Sequence, residues 1–306
     1  MKIKKYAAID IGSNAIRLLI SNVIITKHNE PQYKKVSLVR VPIRLGKDVF
    51  DDGFISDENQ KRMIDAMKAF KLLMKVHQTE KYMACATSAM RESKNGKEIV
   101  ALIKKESEIN ISIIDGETEA KIISSTDLSE LIDGNKSYLY VDVGGGSTEF
   151  TFFSHGKIIA SKSYKMGTVR LLDKKTNRET WKDIEKWIKK HSEKSGNIEL
   201  IGSGGNINHI FKHSGNKAGK PLSYIYLNAH YKFLKSMTYE ERISELKLNP
   251  DRSDVIIPAT KIYLSAMKWS GARKVHVPKI GLADGIIKSL YLGVFDKNKI
   301  ITAQRN

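Results

Sequence analysis

The sequence predicts an α/β fold in which one unit of strands and helices occurs twice. The stretches "YAAIDIGSNAIRLL" at residues 6–19 and "YLYVDVGGGSTEF" at residues 138–150 share one plan, an apolar strand followed by Asp, Gly and small polar residues. Each stretch opens a run of hairpins that is followed by helices alternating with strands. The length of 306 residues also exceeds what one compact core usually holds, so we expect two domains.

The first half begins with alternating strands over residues 3–25 and 33–42, joined by a turn at residues 28–30. Ser56 predicts the N-cap of a long helix, and a further helix is expected near residues 95–107. The long helix repeats large apolar side chains at helical spacing, which predicts that this face packs into a core. These side chains are Met63, Met67, Phe70 and Met74.

The second half repeats the order from residue 138, with a helix over 178–194 and a glycine-containing strand end at "IELIGSGG". Trp181 and Trp187 share one face of that helix with isoleucines, which favours core packing over base stacking. We expect a first domain over 1–124 and a second over 125–306, with the last helix able to pack back on the first.

Composition restricts the classes of protein that the chain can belong to. A single cysteine, Cys85, allows no disulfide framework, and its apolar neighbours predict an inert buried thiol. No stretch approaches the ~18 apolar residues of a membrane helix, and the N-terminus lacks a secretory signal pattern, so the cytoplasm is the expected location. The net charge of +18 would attract a polyanion, although many lysines are spaced as on solvated helix faces.

The two glycine loops have the composition of anion sites. Glycines allow a ligand to approach the backbone, where consecutive N–H groups form a nest for an anion, and Ser13, Ser147 and Thr148 add hydroxyl donors. Acids at Asp10, Asp142 and Glu149 would repel a bare phosphate unless a water or a divalent cation such as Mg²⁺ lies between them. The alternative interpretation of the loops is two ordinary hairpin turns.

Other common nucleotide and metal motifs are not found. The chain has no Walker sequence, and "DVGGGSTEF" leads into a strand where a dinucleotide loop would open a helix. His209 and His213 have metal-ligand spacing on a predicted helix, but no accompanying glutamate or third ligand supports a metal role. Arg17 can point inward or lie on the surface, and the sequence leaves this open.

Eight stretches in their order along the chain resemble the exopolyphosphatase / guanosine pentaphosphate phosphatase family of the actin, sugar kinase and Hsp70 ATPase superfamily. They are "IDIGSNAIRLLI", "ATSAMRESKNG", "DGETEAKII", "VDVGGGSTEF", "SYKMGTVRL", "GSGGNI", "DRSDVIIPATKIY" and "GLADGII". The resemblance implies two ribonuclease-H-like (actin-like ATPase) domains with an interdomain cleft. The chain departs from the family pattern at Lys121, Ala283 and Asp284. Compared with long members, we expect it to lack their additional C-terminal helical domains and, with them, a processive grip on long polymers.

The resemblance also implies roles for single residues. Glu119 would orient or deprotonate the attacking water, with Glu149 assisting. From the residues alone, the favoured interpretation of Glu119 is an acid stabilised by the dipole at a helix N-terminus. Asp10, Asp142 and Glu149 would hold Mg²⁺. The terminal phosphates would be bound by Gly12, Ser13, Asn14, Arg91, Asn95, Gly144, Gly145, Gly146 and Ser147.

The activity expected from the resemblance is Mg²⁺-dependent hydrolysis of the terminal phosphoanhydride of inorganic polyphosphate. Removal of the 5′ γ-phosphate of guanosine pentaphosphate is a close alternative, and phosphate transfer between polyphosphate and a nucleotide is a less favoured one. A polyanion binder without catalysis would not need Glu119 and Glu149. The resemblance allows a homodimer, and we expect neither a membrane partner nor a specific nucleic acid.

Overall fold

The computed structural model describes residues 1–26, 30–124, 126, 136–172, 178–193, 195–294 and 301–302. These residues form a mixed α/β fold of two compact units, one built from 1–126 with 282–306 and one from 127–281. Residues 28 and 29 of the predicted turn and most of the segment around the predicted 124/125 domain boundary lie outside the described residues. That boundary therefore stays a prediction.

The first unit contains strands and helices from both ends of the described chain. In order these are β1 (Lys2–Ile11), β2 (Ile16–Ile25), β3 (Gln32–Val41), α1 (Leu45–Asp52), α2 (Asp57–Val76), β4 (Lys81–Ala86), α3 (Ser88–Glu92), α4 (Gly96–Ser107), β5 (Ile111–Ile113) and α5 (Gly116–Ser124).

The second unit lies between them in sequence. Its elements are β6 (Ser137–Val143), β7 (Thr148–Ser154), β8 (Lys157–Tyr164), α6 (Thr168–Leu172), α7 (Arg178–Ser192), β9 (Ile198–Ser203), α8 (Gly205–His213), β10 (Leu222–Ser223), α9 (Tyr224–Ser236), α10 (Tyr239–Ser244), α11 (Pro250–Ser253), α12 (Ile256–Ser270) and β11 (Lys274–His276). The chain then returns to the first unit with α13 (Leu282–Leu292) and β12 (Ile301–Thr302).

Both units build their sheet in the same order. The first sheet runs β12-β4-β1-β2-β3 with β5 beside β4, and the second runs β10-β11-β9-β6-β7-β8. In each unit three antiparallel strands come first, and two later strands, β4 and β5 or β9 and β11, add in parallel on the other side. The predicted duplication of an α/β unit is confirmed.

Each unit has its own apolar core, made where the buried strands meet the apolar faces of the helices. The predicted stripe on α2 is confirmed, because Met63, Met67, Phe70 and Met74 are all buried. Ser56 caps this helix by accepting a hydrogen bond from the backbone N–H of Asn59.

The predicted core roles of the tryptophans and of the cysteine are confirmed as well. Trp181 and Trp187 are partly buried against the core of the second unit, and the Trp187 ring centroid lies 5.7 Å from that of Phe152. Cys85 is buried in β4. Within the described residues, none of the helices combines the length and the apolar character that crossing a membrane requires.

Helix α13, with which the chain returns to the first unit, covers the helix that carries Glu119. Helix α13 packs on α5 and on β1. The approach is so close that a Cβ on Gly285 would lie 2.2 Å from the backbone oxygen of Ile122 in α5. Asp284, one of the departures from the family pattern, forms a 2.7 Å ion pair with Lys35 of β3. The aspartate therefore joins α13 to the edge of its own sheet.

Candidate functional site

Each unit carries a four-residue loop between its first two antiparallel strands. Loop 12–15 connects β1 to β2, and loop 144–147 connects β6 to β7. Both loops are closed by a hydrogen bond from the N–H of the first residue to the carbonyl of the last, at 3.2 Å in loop 12–15 and 3.0 Å in loop 144–147. The two glycine loops predicted as a matching pair therefore have the same length and the same closure.

The carbonyls of loop 12–15 are held from the segment that leads into α1. Ser13 O accepts a hydrogen bond from Gly46 N at 2.7 Å, and Asn14 O accepts one from Arg44 N at 3.0 Å. The Ser13 hydroxyl lies 2.9 Å from the hydroxyl of Ser88, the first residue of α3. The loop is thus fixed both from β3–α1 and from the end of β4.

Loop 144–147 is held in the same way by the start of α6. Gly144 O accepts a hydrogen bond from Thr168 N at 3.0 Å, and Gly145 O accepts one from Val169 N at 2.8 Å. The contact is backbone against backbone, since a Cβ on Gly167 would lie 2.3 Å from Gly145 O. Only glycine fits at position 167 without a shift of one of the two segments.

These contacts orient the N–H groups of both loops. In a planar trans peptide the N–H points opposite to the C=O. With the carbonyls of Gly144 and Gly145 turned toward α6, the N–H groups of Gly145 and Gly146 point away from it. Loop 12–15 directs the N–H groups of Asn14 and Ala15 in the corresponding way. Each unit therefore presents consecutive backbone donors on one side of a loop, which is the geometry of an anion nest.

Two serines hold the carboxylate of Glu149 in the second unit. Glu149 is only 2% exposed on β7, and its Oε1 accepts hydrogen bonds from Ser147 Oγ at 2.7 Å and from Ser163 Oγ at 2.8 Å. Hydroxyl donors favour the ionised form of a carboxylate and fix its orientation. Asp142 lies directly opposite Glu149 on β6, so both acids stand next to loop 144–147.

Asp142 is held by groups from β9 and β6. Ser203 Oγ lies 3.1 Å from Asp142 Oδ2 and 3.0 Å from the carbonyl of Ile280, so its single proton is shared between them. The Tyr140 hydroxyl lies 3.5 Å from the same carboxylate oxygen. Burial, followed by the negative charge of Asp142, raises the pKa of Tyr140 well above its usual value, so this phenol stays a neutral donor.

Asp10 has a different neighbour in the first unit. It occupies the position on β1 that Asp142 occupies on β6, but the residue opposite it on β2 is Arg17. Arg17 Nη1 donates to Asp10 Oδ2 at 2.8 Å, which shows that Arg17 points toward the loop end of the sheet. A cation already lies on this carboxylate, so Asp10 is a weaker candidate for a metal ligand than Asp142.

Glu119 lies in the first turn of α5 and is 8% exposed. The helix begins where the sequence predicted a turn, because Asp115 Oδ1 accepts a 2.7 Å hydrogen bond from Thr118 N. This backbone donor, with a smaller contribution from Arg91, lowers the pKa of Asp115. Glu117 instead is exposed and pairs with Lys121 at 2.7 Å, as expected of a surface acid.

Arg91 and Asn95 differ in how well they fit the predicted phosphate-binding role. Arg91 lies on α3, and its Nη1 donates to the carbonyl of Ile114 at 2.7 Å, which anchors the guanidinium near the start of α5. Both polar atoms of the Asn95 amide bond to the backbone of Ile55, at 3.0 and 2.9 Å. Asn95 therefore joins two loops, and it is the weakest of the predicted phosphate ligands.

The predicted residues fall into two groups by unit. The first unit brings Asp10 together with Gly12, Ser13 and Asn14, and it also holds Glu119, Arg91 and Asn95; the second brings Asp142 and Glu149 together with Gly144, Gly145, Gly146 and Ser147. The sequence did not predict Ser163, Ser203 and Gly167 as parts of the site. A signal for two of them was present in the sequence: Ser203 lies in "GSGG" and Gly167 in "KMGT", and each stretch places glycine beside a small polar residue.

The two histidines with metal-ligand spacing interact with each other on α8. His213 Nδ1 donates to the backbone carbonyl of His209 at 3.0 Å, and the ring centroids are 4.1 Å apart. Burial and the neighbouring positive charges lower the pKa of His209 to about 4. Within the described residues there is no cluster of three or more His, Cys, Asp or Glu side chains arranged to hold a metal ion.

Solved structures with the same fold include proteins of two bacteria. A protein of Cytophaga hutchinsonii described as an exopolyphosphatase aligns with a TM-score of 0.81 at 23% identity, over 95% of this chain and 98% of that one. The Aquifex aeolicus member of the Ppx/GppA family aligns with a TM-score of 0.75 at 24% identity, over 97% and 100%. These similarities confirm the predicted actin-like ATPase fold.

Curated relatives share the sequence pattern. A bifunctional 3-dehydroquinate synthase/phosphatase of Fusobacterium nucleatum is 30% identical over 95% of this chain and 47% of its own length. Exopolyphosphatase 2 of Mycobacterium tuberculosis is 30% identical over 57% of this chain and 56% of its own length. A guanosine-5'-triphosphate,3'-diphosphate pyrophosphatase of Aliivibrio fischeri is 28% identical over 55% and 33%.

These alignments span between a third and somewhat more than half of the relatives' lengths. The sequence profile of the Ppx/GppA phosphatase family matches residues 24–293, which include loop 144–147, both candidate catalytic glutamates and α13. The family resemblance seen in the eight stretches is confirmed, and this chain belongs to the Ppx/GppA phosphatase family.

Proposed function

We propose that this chain hydrolyses the terminal phosphoanhydride bond of inorganic polyphosphate and releases orthophosphate. The observation that carries the proposal is the repeated loop. In each unit the loop carbonyls bond to the protein behind them, and consecutive N–H groups face the other way, where phosphate oxygens would be bound. The net charge of +18 would attract such a polyanion, and the name of the Mycobacterium tuberculosis relative supports this substrate class.

The proposal assigns the preparation of the attacking water to Glu119. Cleavage of a phosphoanhydride needs a positioned nucleophile and neutralisation of charge on the phosphate oxygens. Glu119 is a buried acid in the first turn of α5, a helix whose start is capped by Asp115 and which packs against α13. We assign to it the orientation or deprotonation of water. Glu149 assists, with its carboxylate held by Ser147 and Ser163.

The residues around loop 144–147 fit a magnesium ion. Mg²⁺ is usually bound by one or two carboxylates together with phosphate oxygens and water. Asp142 and Glu149, opposite one another on adjacent strands, supply two such carboxylates. In the first unit Asp10 is the corresponding candidate, and a metal ion there would compete with Arg17 for its carboxylate. When bound, the ion would supply neutralisation of negative charge on the phosphate chain.

A second candidate substrate is guanosine pentaphosphate. The Aliivibrio fischeri relative carries the name of a pyrophosphatase for this nucleotide, and the same loops would bind its 5′ phosphates. Phosphate transfer between polyphosphate and a nucleotide is less favoured, because a residue that prepares water promotes hydrolysis. A cytoplasmic location and a homodimer are further proposals, without a membrane or a specific nucleic acid as partner.

A substrate panel tests the proposal. Phosphate release is measured from short and long polyphosphates and from guanosine pentaphosphate, each with Mg²⁺ and with EDTA. Mg²⁺-dependent release from polyphosphate supports the proposal, and release from the nucleotide alone selects the second candidate. Stoichiometric ATP formed from ADP and polyphosphate would replace hydrolysis by transfer. Release of phosphate from none of the substrates would overturn the proposed activity.

A further inference from the structure

A side chain, in addition to the backbone, holds loop 144–147 from behind. Arg170 of α6 donates from Nε to the carbonyl of Gly146 at 2.6 Å. The carbonyls of Gly144 and Gly145 are bonded by the two residues before it, Thr168 and Val169. Three consecutive loop carbonyls are therefore bonded by three consecutive residues of α6.

The bond from Arg170 decides the direction of one further donor. Because the Gly146–Ser147 peptide is planar and trans, turning the Gly146 carbonyl toward Arg170 turns the N–H of Ser147 to the opposite side. The nest of Gly145 and Gly146 N–H groups is thereby extended to three. A guanidinium bond to a carbonyl is charge-assisted, and it also polarises the peptide so that its N–H becomes a stronger donor.

The first unit holds the corresponding carbonyl by another means. Asn14 stands at the third position of loop 12–15, as Gly146 does in loop 144–147, and its carbonyl is bonded by the backbone N–H of Arg44. A backbone donor cannot be removed by changing a side chain, whereas the donor at Gly146 can. Loop 144–147 therefore depends at this point on the identity of one residue.

The segment that carries Arg170 is itself fixed to the loop. Gly167 packs directly on the Gly145 backbone, and the Thr148 hydroxyl, at the start of β7, donates to the carbonyl of Met166. The position of α6 therefore does not depend on Arg170 alone. Replacing Arg170 should release the Gly146–Ser147 peptide and leave the rest of the contact in place.

We propose that Arg170 is a positioning residue, which sets the direction and the donor strength of the Ser147 N–H toward a bound phosphate without touching the phosphate itself. The inference rests on the proposed function, because it assigns the nest to the phosphate chain. It adds to that function a residue on which the affinity for the phosphate chain depends. It also predicts that the effect of Arg170 is seen on binding without any metal ion.

The test measures binding of tripolyphosphate in EDTA by titration calorimetry, with phosphate release measured separately. Arg170→Met keeps the apolar stem and removes the donors, and we expect affinity to fall about tenfold to a hundredfold, as for loss of a charge-assisted hydrogen bond. Arg170→Lys keeps the charge and should fall between Arg170→Met and the wild type. Lys157→Met, an exposed lysine at the far end of β8, removes one charge elsewhere in the same sheet and should bind as the wild type does.

Chemical rescue separates positioning from a general loss of structure. Millimolar guanidinium chloride, far below denaturing concentrations, should restore part of the affinity of Arg170→Met, and the same concentration of sodium chloride should not. Amide spectra should show the Ser147 N–H resonance moved in Arg170→Met, with most of the core unchanged.

The outcomes distinguish the inference from the function on which it rests. If the wild type neither binds tripolyphosphate nor releases phosphate from any substrate, the proposed function fails. If the wild type binds tripolyphosphate and Arg170→Met binds it equally well, the role of Arg170 is refuted while the function stands. The role is also refuted if Arg170→Met binds more weakly, has the urea midpoint of the wild type and regains no affinity in guanidinium chloride.

Discussion

Arg17 forms an ion pair with Asp10 across β1 and β2, in the position where the second unit sets Glu149 against Asp142. The duplicated hairpin thus carries a cation and an acid in one copy and two acids in the other. The Asp10 side chain is 8% exposed and that of Arg17 is 34% exposed. Unequal exposure of this kind leaves the buried carboxylate dependent on its partner.

Arg17→Met should destabilise the protein by about 1–3 kcal/mol, because it leaves a buried carboxylate without its charged donor. Urea unfolding followed by circular dichroism measures the change. The double variant Arg17→Met with Asp10→Asn should recover part of the loss, since the buried charge is then removed as well. A single variant as stable as the wild type would contradict this prediction.

Glu119→Gln should reduce turnover by several orders of magnitude while the protein folds and binds tripolyphosphate as before. Glutamine keeps the size of the side chain in its buried position on α5 but cannot take a proton from water. Glu117→Gln, two residues away and exposed, is the matched control and should keep its activity. Undiminished phosphate release by Glu119→Gln would remove the role proposed for this acid.

Gly167→Ala should weaken phosphate binding and lower stability, by about 1–3 kcal/mol in unfolding free energy. The added Cβ would lie 2.3 Å from Gly145 O, so either α6 or the loop must move. Gly281→Ala is a suitable control, because the nearest atom to its Cβ would be Ser203 Oγ at 4.0 Å. Calorimetric titration and thermal unfolding of both variants check this; equal stability of the two would be evidence against the close packing.

His209 should make the protein less stable as the pH falls from about 6.5 toward 4. Its pKa is lowered to about 4 by burial and by His213, Arg252, His230 and Lys212. Between the two pH values the unfolded chain takes up a proton at this histidine and the folded chain does not, so protonation favours unfolding. Carboxylates with lowered pKa values, such as Glu199 beside His276, act mainly below this window.

Unfolding free energies of the wild type and of His209→Gln, measured across pH 4–7.5, check that prediction. The slope on the acid side should decrease in His209→Gln, with a remainder from His230, whose pKa is also lowered. His77→Gln, at the C-terminal end of α2 in the other unit, provides the control. An unchanged slope in His209→Gln would refute the assignment.

The contacts that the sequence could predict are those fixed by local counting. Loop 12–15 has four residues, so counting outward along the hairpin places Arg17 opposite Asp10. The apolar period of α2 likewise follows from the helical turn and places Met63 and Met67 in the core. Both loops could be predicted as well, because each places glycine and small polar residues directly after an apolar strand that carries an Asp.

Contacts that depend on irregular register or on distant segments could not be predicted in this way. Counting outward from the β7–β8 turn would place Lys162 opposite Glu149, but a bulge at Phe152 and Phe153 shifts the register, and Ser163 takes that place. The Asn95 amide could bind a phosphate oxygen, yet it is hydrogen-bonded to the backbone of Ile55, which lies 40 residues away in sequence. Neither fact leaves a local trace in the sequence.

The packing of Gly285 against Ile122 has a consequence for biosynthesis. On the ribosome, α5 emerges long before α13, and the whole second unit must be synthesised before the cover of α5 exists. The second unit is continuous in sequence and can fold as soon as it is complete. Helix α5, which bears Glu119, remains uncovered until α13 has been synthesised, and its apolar side is accessible to chaperones and proteases during that time. Premature termination before residue 282 should therefore leave one half that can fold and another that is degraded.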